Sequence, residues 1–222
     1  MVDTAVFVLE CLGAIAFTLS GIIVSIERRV DPIGTFVISF TTAFGGGIIR
    51  DLLIGVVPPS VFCNPSTRLE ALIAMIVGMI FYIFAFFKKT APLIIKMKND
   101  IALNIIDAVG LSVFCISGVK TAIAACGGGN ILLLIVAGSI SGCGGSILRD
   151  IFTDSIPTVF RKHVYILPSI IGSSAYVLLY TRVPQLVAMM AGIAIIITIR
   201  VLAIVYKWNL PIPREEKDRS AK

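Results

Sequence analysis

Charged residues are scarce in this chain, since Asp, Glu, Lys and Arg together make up only 14% of its 222 residues. Histidine occurs once, as His163, and one imidazole cannot build a metal cluster. The five cysteines are odd in number and form no CxxC pair, which argues against a disulfide framework or a zinc site. Because the sequence also lacks a phosphate-binding loop and a nucleophile–base pair, it predicts that the protein is not an enzyme.

Apolar residues are abundant instead, with 57% of the chain hydrophobic and a further 19 glycines. A soluble domain is about half apolar, and one of this size could not bury so large an excess. The hydrophobic residues fall into seven runs, each close to the roughly 20 residues that a helix needs to cross a bilayer. These runs cover residues 4–26, 33–57, 69–87, 101–125, 131–156, 164–180 and 184–206. We therefore expect an all-α membrane protein whose residues 1–222 form a single transmembrane domain of seven helices, with a charged tail at 207–222.

The placement of the basic residues predicts the orientation in the membrane. Thirteen of the 19 Lys and Arg residues lie in loops on one predicted side, and only Arg68 and Arg182 lie in loops on the other. Positively charged loops stay in the cytoplasm, so the N-terminus is expected outside and the C-terminus inside. The same placement explains the net charge of +6 and argues against nucleic acid as a partner.

Two pairs of segments resemble each other. Residues 10–21 match residues 107–118 at an offset of 97, because in both an acidic residue is followed at the same spacing by Gly, Phe, Ser and Gly. Residues 45–51 match residues 144–150 at an offset of 99, and in both glycines precede an Arg-Asp pair. Such agreement in order and spacing indicates an internal repeat.

The repeat predicts the architecture. Pro58 matches Pro157 at the offset of 99, and the two repeats cover about residues 4–87 and 101–180, with three predicted helices each. Three is an odd number, so the second repeat enters the membrane from the face opposite the first. We expect a 3+3 inverted repeat followed by a seventh helix at about 184–206. Inverted repeats surround a pathway at the bilayer midplane in many transporters, which favours permeation.

Glycines precede the Arg-Asp pairs of the second and fifth predicted helices by about one turn. A glycine inside a helix costs about 1 kcal/mol relative to Ala, and any backbone group that it frees in a bilayer needs a partner. One interpretation is a broken or kinked helix beside a pore, and the other is close packing of two helices. The positions concerned are Gly45, Gly46, Gly47, Gly144, Gly145 and Ser146.

Ionisable residues inside the predicted helices form a set of nearly balanced charge. Neighbours in sequence point about 100° apart on a helix, so we expect each Arg to pair with a helix end or an acid of another helix, Glu10 and Asp107 being the repeat-related candidates. Such a set either lines a pathway or locks the repeats together as an ion-pair network. Its members are Glu10, Arg50, Asp51, Asp107, Lys120, Arg149 and Asp150. Arg200 is a further basic residue that the seventh predicted helix must accommodate.

Lys120 has no basic counterpart in the first repeat, where Ile23 stands at the equivalent position. An unmatched lysine within a membrane helix can plug a pathway, sense voltage or extend its amine to the membrane surface. Lys120 is therefore the candidate gating residue.

The paired GGGxxRD-like motifs, in the second and fifth of seven helices with the N-terminus outside, resemble the prokaryotic branch of the trimeric intracellular cation channels. This branch is also described as a glycine-transporter domain family, and the resemblance covers about residues 5–206. Ser146 stands in place of the third glycine of the second motif, and Lys120 is similar to a basic residue that animal members use in gating. The matching motif positions are Gly45, Gly46, Gly47, Arg50, Asp51, Gly144, Gly145, Arg149 and Asp150.

The resemblance implies a homotrimer with a separate pore in each protomer, bounded by kinked second and fifth helices and conducting the monovalent cations K⁺ and Na⁺. It implies the cell membrane of a bacterium or archaeon. Its expected ligands are the permeant cation and bound lipid, with no further cofactor, and its expected partners are copies of itself and membrane lipids.

Two other functions use the same residues. A secondary transporter of a small zwitterion such as glycine fits, because a helix N-terminus with an Arg nearby suits a carboxylate while carbonyls and an acid suit an ammonium group. The remaining alternative is a structural membrane protein whose charges only hold helices together.

Overall fold

The computed structural model describes residues 2–87, 101–161, 165–206 and 208, and these residues form helices and the turns that join them. The predicted basic connector after Phe87, His163 and most of the predicted charged tail lie outside the described residues. The helices are α1 Val2–Glu27, α2 Pro32–Leu53, α3 Ser60–Cys63, α4 Pro65–Phe87, α5 Ile101–Cys126, α6 Ile131–Phe152, α7 Thr158–Arg161, α8 Ile166–Leu179 and α9 Gln185–Val205.

The prediction of an all-helical membrane protein is confirmed. Six of the described helices, α1, α2, α4, α5, α6 and α9, are long and apolar enough to cross a bilayer. The helix predicted over 164–180 is shorter than expected, because α8 has only 14 residues. At 1.5 Å per residue α8 is about 21 Å long, less than the roughly 30 Å of a hydrocarbon core.

The starts of α2 and α6 are fixed by the same device. The Asp31 side chain accepts a hydrogen bond from the Gly34 amide at 2.6 Å, and the Asn130 side chain accepts one from the Leu133 amide at 3.1 Å. A side-chain oxygen at this position satisfies an amide that the first helical turn leaves without a partner. The two caps are 99 residues apart, which is the offset of the Arg-Asp motifs.

The ends of α2 and α6 also match, and both helices end earlier than predicted. The residue after each helix cap has a positive φ, 76° at Gly55 and 51° at Asp154, which stops the helix. The apolar runs continue to Val57 and Ile156, so hydrophobicity alone overestimated both helices. The short helices α3 and α7 follow, and the sequence did not predict them.

The proline match proposed from the sequence is wrong by one residue. The Pro59 carbonyl accepts a hydrogen bond from the Phe62 amide, and the Pro157 carbonyl accepts the same bond from the Phe160 amide, both at 2.9 Å. Pro59, and not Pro58, is therefore the structural counterpart of Pro157, since the first turn contains one extra residue.

The glycine motifs lie where α2 crosses α6, the pair of helices with the most extensive contact in the described structure. A Cβ on Gly145 would overlap the carbonyl oxygen of Thr42, and a Cβ on Gly46 would overlap the carbonyl oxygen of Ser141. Both helices continue without interruption through their glycines. Neither helix is therefore broken there, and close backbone packing describes Gly46, Gly144 and Gly145. A kink at these glycines stays a prediction.

Two pairs of contacting helices run antiparallel, α1 with α5 and α2 with α6. On α1 and α5, Phe17 stacks on Phe114 with ring centroids 5.5 Å apart, while Ser117 donates a hydrogen bond to Glu10 on one side of this contact. On α2 and α6, Thr42 faces Gly145. Helices α1 and α5, and likewise α2 and α6, therefore contact each other in opposite directions, and α9 packs against α5 and α8.

Candidate functional site

Arg50 and Asp51 form a buried ion pair at the end of α2. Arg50 donates to Asp51 Oδ1 from Nε at 2.9 Å and from Nη2 at 2.6 Å. The other carboxylate oxygen of Asp51 accepts a hydrogen bond from the Ser60 amide at 2.7 Å, which attaches α3 to α2. The Arg50 Nη1 donates to Ser141 Oγ of α6 at 3.1 Å, so the same guanidinium also joins the two repeats.

Arg149 and Asp150 repeat this arrangement at the end of α6. Arg149 Nε lies 2.9 Å and Nη2 lies 2.8 Å from Asp150 Oδ1, and Asp150 Oδ2 accepts from the Thr158 amide at 2.7 Å. The expectation that adjacent Arg and Asp residues do not pair is therefore wrong in both motifs. The long arginine side chain reaches the carboxylate of the next residue, which overcomes the 100° between neighbouring Cβ directions.

A polar cavity of about 450 Å³ lies between α1, α2, α4 and α5, and we call it the Glu10 cavity. Its lining includes three acids and two bases that the bilayer would otherwise exclude. Gly47 also lines it, and a Cβ there would meet only Arg50 at 3.8 Å, so this glycine is not required for packing. The charged lining residues are Glu10, Arg50, Asp51, Glu70 and Lys120.

Glu10 lies at the centre of the contacts in this cavity. Its carboxylate accepts a hydrogen bond from Ser117 and lies 3.9 Å from the Lys120 amine, both on α5. The Glu70 carboxyl of α4 lines the same cavity and interacts with the Glu10 carboxylate. The side chain of Lys120 is 35% exposed, so this amine is in contact with the cavity and is not locked in the core.

Three phenylalanines close the inner end of the Glu10 cavity, and we call them the Phe layer: Phe17, Phe44 and Phe114. Phe44 and Phe114 line the cavity, with their ring centroids 6.4 Å apart and their edges crossed. Phe17 is 1% exposed and stacks behind Phe114. The aromatic rings therefore separate the cavity from the polar residues on the other side.

A second polar group lies beyond the Phe layer, and we call it the Asp107 cluster. Asp107 is 6% exposed and accepts hydrogen bonds from Arg149 at 3.2 Å, from Ser146 at 3.3 Å and from the Tyr165 hydroxyl. Arg149 also donates to Ser20 of α1 at 2.6 Å. The expected pairing of an Arg with an acid of another helix therefore occurs at Asp107, whereas Glu10 pairs with Lys120.

The Asp107 cluster contains one more cation, Arg200 of α9. The Arg200 guanidinium carbon lies 4.1 Å from the centroid of the Tyr165 ring, and its Nη2 lies 3.9 Å from Asp107 Oδ2. A cation over an aromatic face is attracted to the negative potential of the ring. Arg149 and Arg200 together balance the negative charges of Asp107 and Asp150.

Sequence reasoning did not assign Glu70, Tyr165 or Arg200 to the site. Glu70 comes one turn after the start of a helix, where an acid is ordinary, and it has no acidic counterpart in the second repeat. Tyr165 lies at the N-terminal end of the apolar run 164–180. Arg200 was noticeable as a basic residue within a predicted membrane helix, and that was the available signal.

An all-helical bundle with an apolar exterior and a charged cavity between its helices defines a multi-pass membrane protein with a polar interior site. The comparisons with known proteins identify the family. A family model described as "Glycine transporter" matches residues 7–86 and again residues 104–181. The chain belongs to this family, which is the TRIC-type family that the motifs predicted.

Three relatives describe the extent of the similarity. The inner membrane protein YadS of Escherichia coli is 31% identical over 98% of this chain and 99% of its own length. A structure described by the words "conductance through TRIC cation channels" is 30% identical, with a TM-score of 0.78, over 94% of this chain and 97% of its own. The TRIC trimeric intracellular cation channel orthologue from Rhodobacter sphaeroides is 28% identical, with a TM-score of 0.77, over 92% and 100% of the two chains.

These relatives confirm two expectations from the sequence. Bacterial relatives are inner membrane or membrane proteins, in agreement with a multi-pass protein of a prokaryotic cell membrane. The similar solved structures are channels and not enzymes, in agreement with the prediction that this chain is not an enzyme.

Proposed function

We propose that the protein is a channel that conducts the monovalent cations K⁺ and Na⁺ through a pathway within each protomer of a homotrimer. The observation that carries the proposal is the Glu10 cavity, where three acids face two bases. Carboxylate groups that line a cleft with low-dielectric walls attract cations and raise their local concentration. The relatives described as cation channels support the same function.

The proposed pathway has three parts in sequence along α1 and α5. Cations enter the Glu10 cavity, pass the Phe layer and leave through the Asp107 cluster. Phe17 comes seven residues after Glu10, and Phe114 comes seven residues after Asp107, so each acid lies about 10 Å along its helix from the aromatic rings. Because the Phe layer and the Asp107 cluster are tightly packed, conduction requires both of them to move.

The proposal includes the inverted 3+3 arrangement with the N-terminus outside. The antiparallel contacts between equivalent helices support it, as do the matching helix caps and the two matches of the family model. With that orientation the Glu10 cavity faces the outside of the cell, because its residues lie near the N-terminus of α1 and the C-terminal ends of α2 and α5.

Single-channel recording of the purified protein in a planar bilayer tests the function. With a KCl gradient, we expect a reversal potential near the potassium equilibrium potential, and with K⁺ opposed to Na⁺ a current carried by both ions. Light scattering on the detergent-solubilised protein should give the mass of three chains. A reversal potential at the chloride value, or a monomer that conducts normally, would contradict the corresponding part of the proposal.

Lys120 is the proposed gate at the Glu10 cavity. Lys120→Gln removes a positive charge that lies 3.9 Å from Glu10 and repels entering cations, so we expect unitary K⁺ conductance to rise roughly two-fold or more. Arg68→Gln is the matched control, because Arg68 is an exposed base that does not line this cavity. The same increase in both variants, or no increase in Lys120→Gln, would show that Lys120 has no special role.

A transporter of a small zwitterion remains the second candidate, since acids and bases share the Glu10 cavity and the family model is described as "Glycine transporter". Saturable uptake of radiolabelled glycine into proteoliposomes, lost in Glu10→Gln, would favour transport. Cation current without any glycine uptake would exclude it.

A further inference from the structure

Arg200 is a buried cation that the internal repeat does not explain. It lies on α9, which follows both repeats, and only 2% of its surface is exposed. Because α9 packs against α5 and α8, it brings Arg200 to Asp107 on α5 and to Tyr165, the residue that precedes α8. A helix outside the repeats thus contributes a positive charge to the closed part of the proposed pathway.

The contacts of Arg200 differ from those of Arg149 in the same cluster. Arg149 donates hydrogen bonds to Asp107 at 3.2 Å, to Asp150 at 2.9 Å and to Ser20 at 2.6 Å. Arg200 reaches Asp107 at 3.9 Å and lies over the Tyr165 ring, while its buried Nε has no hydrogen-bond partner among the residues that the structure describes. A buried donor without a partner is unfavourable, so the site holds this guanidinium less firmly than it holds Arg149.

At each end of the proposed pathway a basic side chain lies 3.9 Å from an acid, and the two acids are at matching positions of the repeat. Lys120 lies 3.9 Å from Glu10, with side chains 35% and 16% exposed, whereas Arg200 lies 3.9 Å from Asp107, with side chains 3% and 9% exposed. The repeat therefore supplies an acid at each end, and a base from a different element faces each one. The end with Lys120 is open, and the end with Arg200 is closed.

We infer that Arg200 closes the pathway at the Asp107 cluster and that movement of α9, which withdraws this guanidinium from Asp107 and Tyr165, opens it. The inference rests on the proposed function. With Arg200 in place the acids Asp107 and Asp150 are balanced by Arg149 and Arg200, and none of the four side chains is more than 9% exposed. Withdrawal of Arg200 leaves the cluster with one excess negative charge, which attracts a cation.

Single-channel recordings of Arg200→Gln and Arg200→Lys test the charge directly. Gln keeps much of the length and the hydrogen-bonding ability but not the charge, so we expect the open probability to rise at least three-fold. Lys keeps the charge, so Arg200→Lys should remain within two-fold of the natural protein. Arg182→Gln is the control, because Arg182 is an exposed base in the turn before α9. If Gln and Lys raise the open probability equally, the effect is one of packing and the inference is wrong.

Chemical labelling gives a second test that does not depend on conduction. Ser146 is fully buried beside Asp107 and Tyr165, and Ser146→Cys in a background without the five native cysteines places a thiol there. We expect Arg200→Gln to speed the reaction of this thiol with a cationic methanethiosulfonate reagent at least ten-fold. If Arg200→Gln does not yield folded protein, Arg200→Met replaces it, because Met removes the charge with an unbranched side chain and leaves Tyr165 in place. An unchanged labelling rate would overturn the inference.

The two tests separate this inference from the proposed function. If neither the natural protein nor any variant conducts cations, the channel proposal fails, and the labelling rate alone decides whether Arg200 closes the Asp107 cluster. If the natural protein conducts but Arg200→Gln alters neither open probability nor labelling, the channel proposal stands and the role of Arg200 is refuted.

Discussion

Replacing Gly145 by alanine should force α2 and α6 apart and strongly destabilise the protein. The added methyl group would overlap the Thr42 carbonyl oxygen, which belongs to the backbone of α2 and cannot rotate away. Overpacking of this kind typically costs 1–3 kcal/mol, and contact with backbone places Gly145→Ala at about 3 kcal/mol or more. Thermal unfolding of the detergent-solubilised protein, followed by size-exclusion chromatography, should show a midpoint lower by roughly 10 °C.

Gly47→Ala is the matched control within the first of the two motifs. A Cβ on Gly47 would make only an ordinary contact with Arg50, at 3.8 Å, because this position faces the Glu10 cavity. Alanine is preferred to glycine inside a helix by about 1 kcal/mol, so Gly47→Ala should leave the midpoint unchanged or raise it. Equal destabilisation by both substitutions would mean that the glycines are needed for bending and not for packing.

Replacing Asp107 by asparagine should be the most damaging change among the buried charges. The substitution leaves Arg200 without its acid and removes one of the two acids paired with Arg149. Removing one member of a buried ion pair typically costs 3–5 kcal/mol, because the remaining charge stays buried. Denaturation of the purified protein by SDS in mixed micelles should therefore begin at a markedly lower detergent fraction.

Glu10→Gln is the control for Asp107→Asn, since these positions are equivalent in the two repeats. The side chain of Glu10 lines an open cavity and is 16% exposed, and its nearest base, Lys120, is 35% exposed. A partly exposed ion pair stabilises a fold less than a buried one does, so Glu10→Gln should lose less stability than Asp107→Asn while its cation conductance falls. Similar losses of stability in both variants would contradict the description of the Glu10 cavity as open and of the Asp107 cluster as buried.

Much of the fold could be predicted because the bilayer constrains it. Hydrophobic runs located six of the described long helices, and the offsets of 97 and 99 found the equivalent positions. The end of α2 was harder to predict, because Val56 and Val57 are as apolar as the helix itself. The positive φ at Gly55 is what ends α2. The glycines of α2 and α6 were recognised as important, but a sequence does not distinguish a weak point in a helix from a contact surface.

The candidate site was predictable where charge stood out against the apolar background. Glu10, Asp107, Lys120 and Arg149 all make polar contacts inside the bundle. The partners of Arg50 were predicted incorrectly, because the argument used Cβ directions and ignored the reach of a flexible side chain. Tyr165 was out of reach of the sequence argument, since only the fold brings its hydroxyl group to Asp107.

The pairing of Arg50 with the residue next to it has a consequence for biosynthesis. Insertion of an isolated arginine by the translocon costs about 2.5–3.5 kcal/mol at the centre of a membrane helix and less toward the end, where Arg50 lies. Arg50 and Asp51 need nothing but their own helix to neutralise each other, so they can do so while the nascent chain is still emerging from the ribosome. The acid that faces Arg200 is Asp107, 93 residues earlier on α5. The charge of Arg200 can therefore be neutralised by Asp107 only when α5 and α9 have packed together.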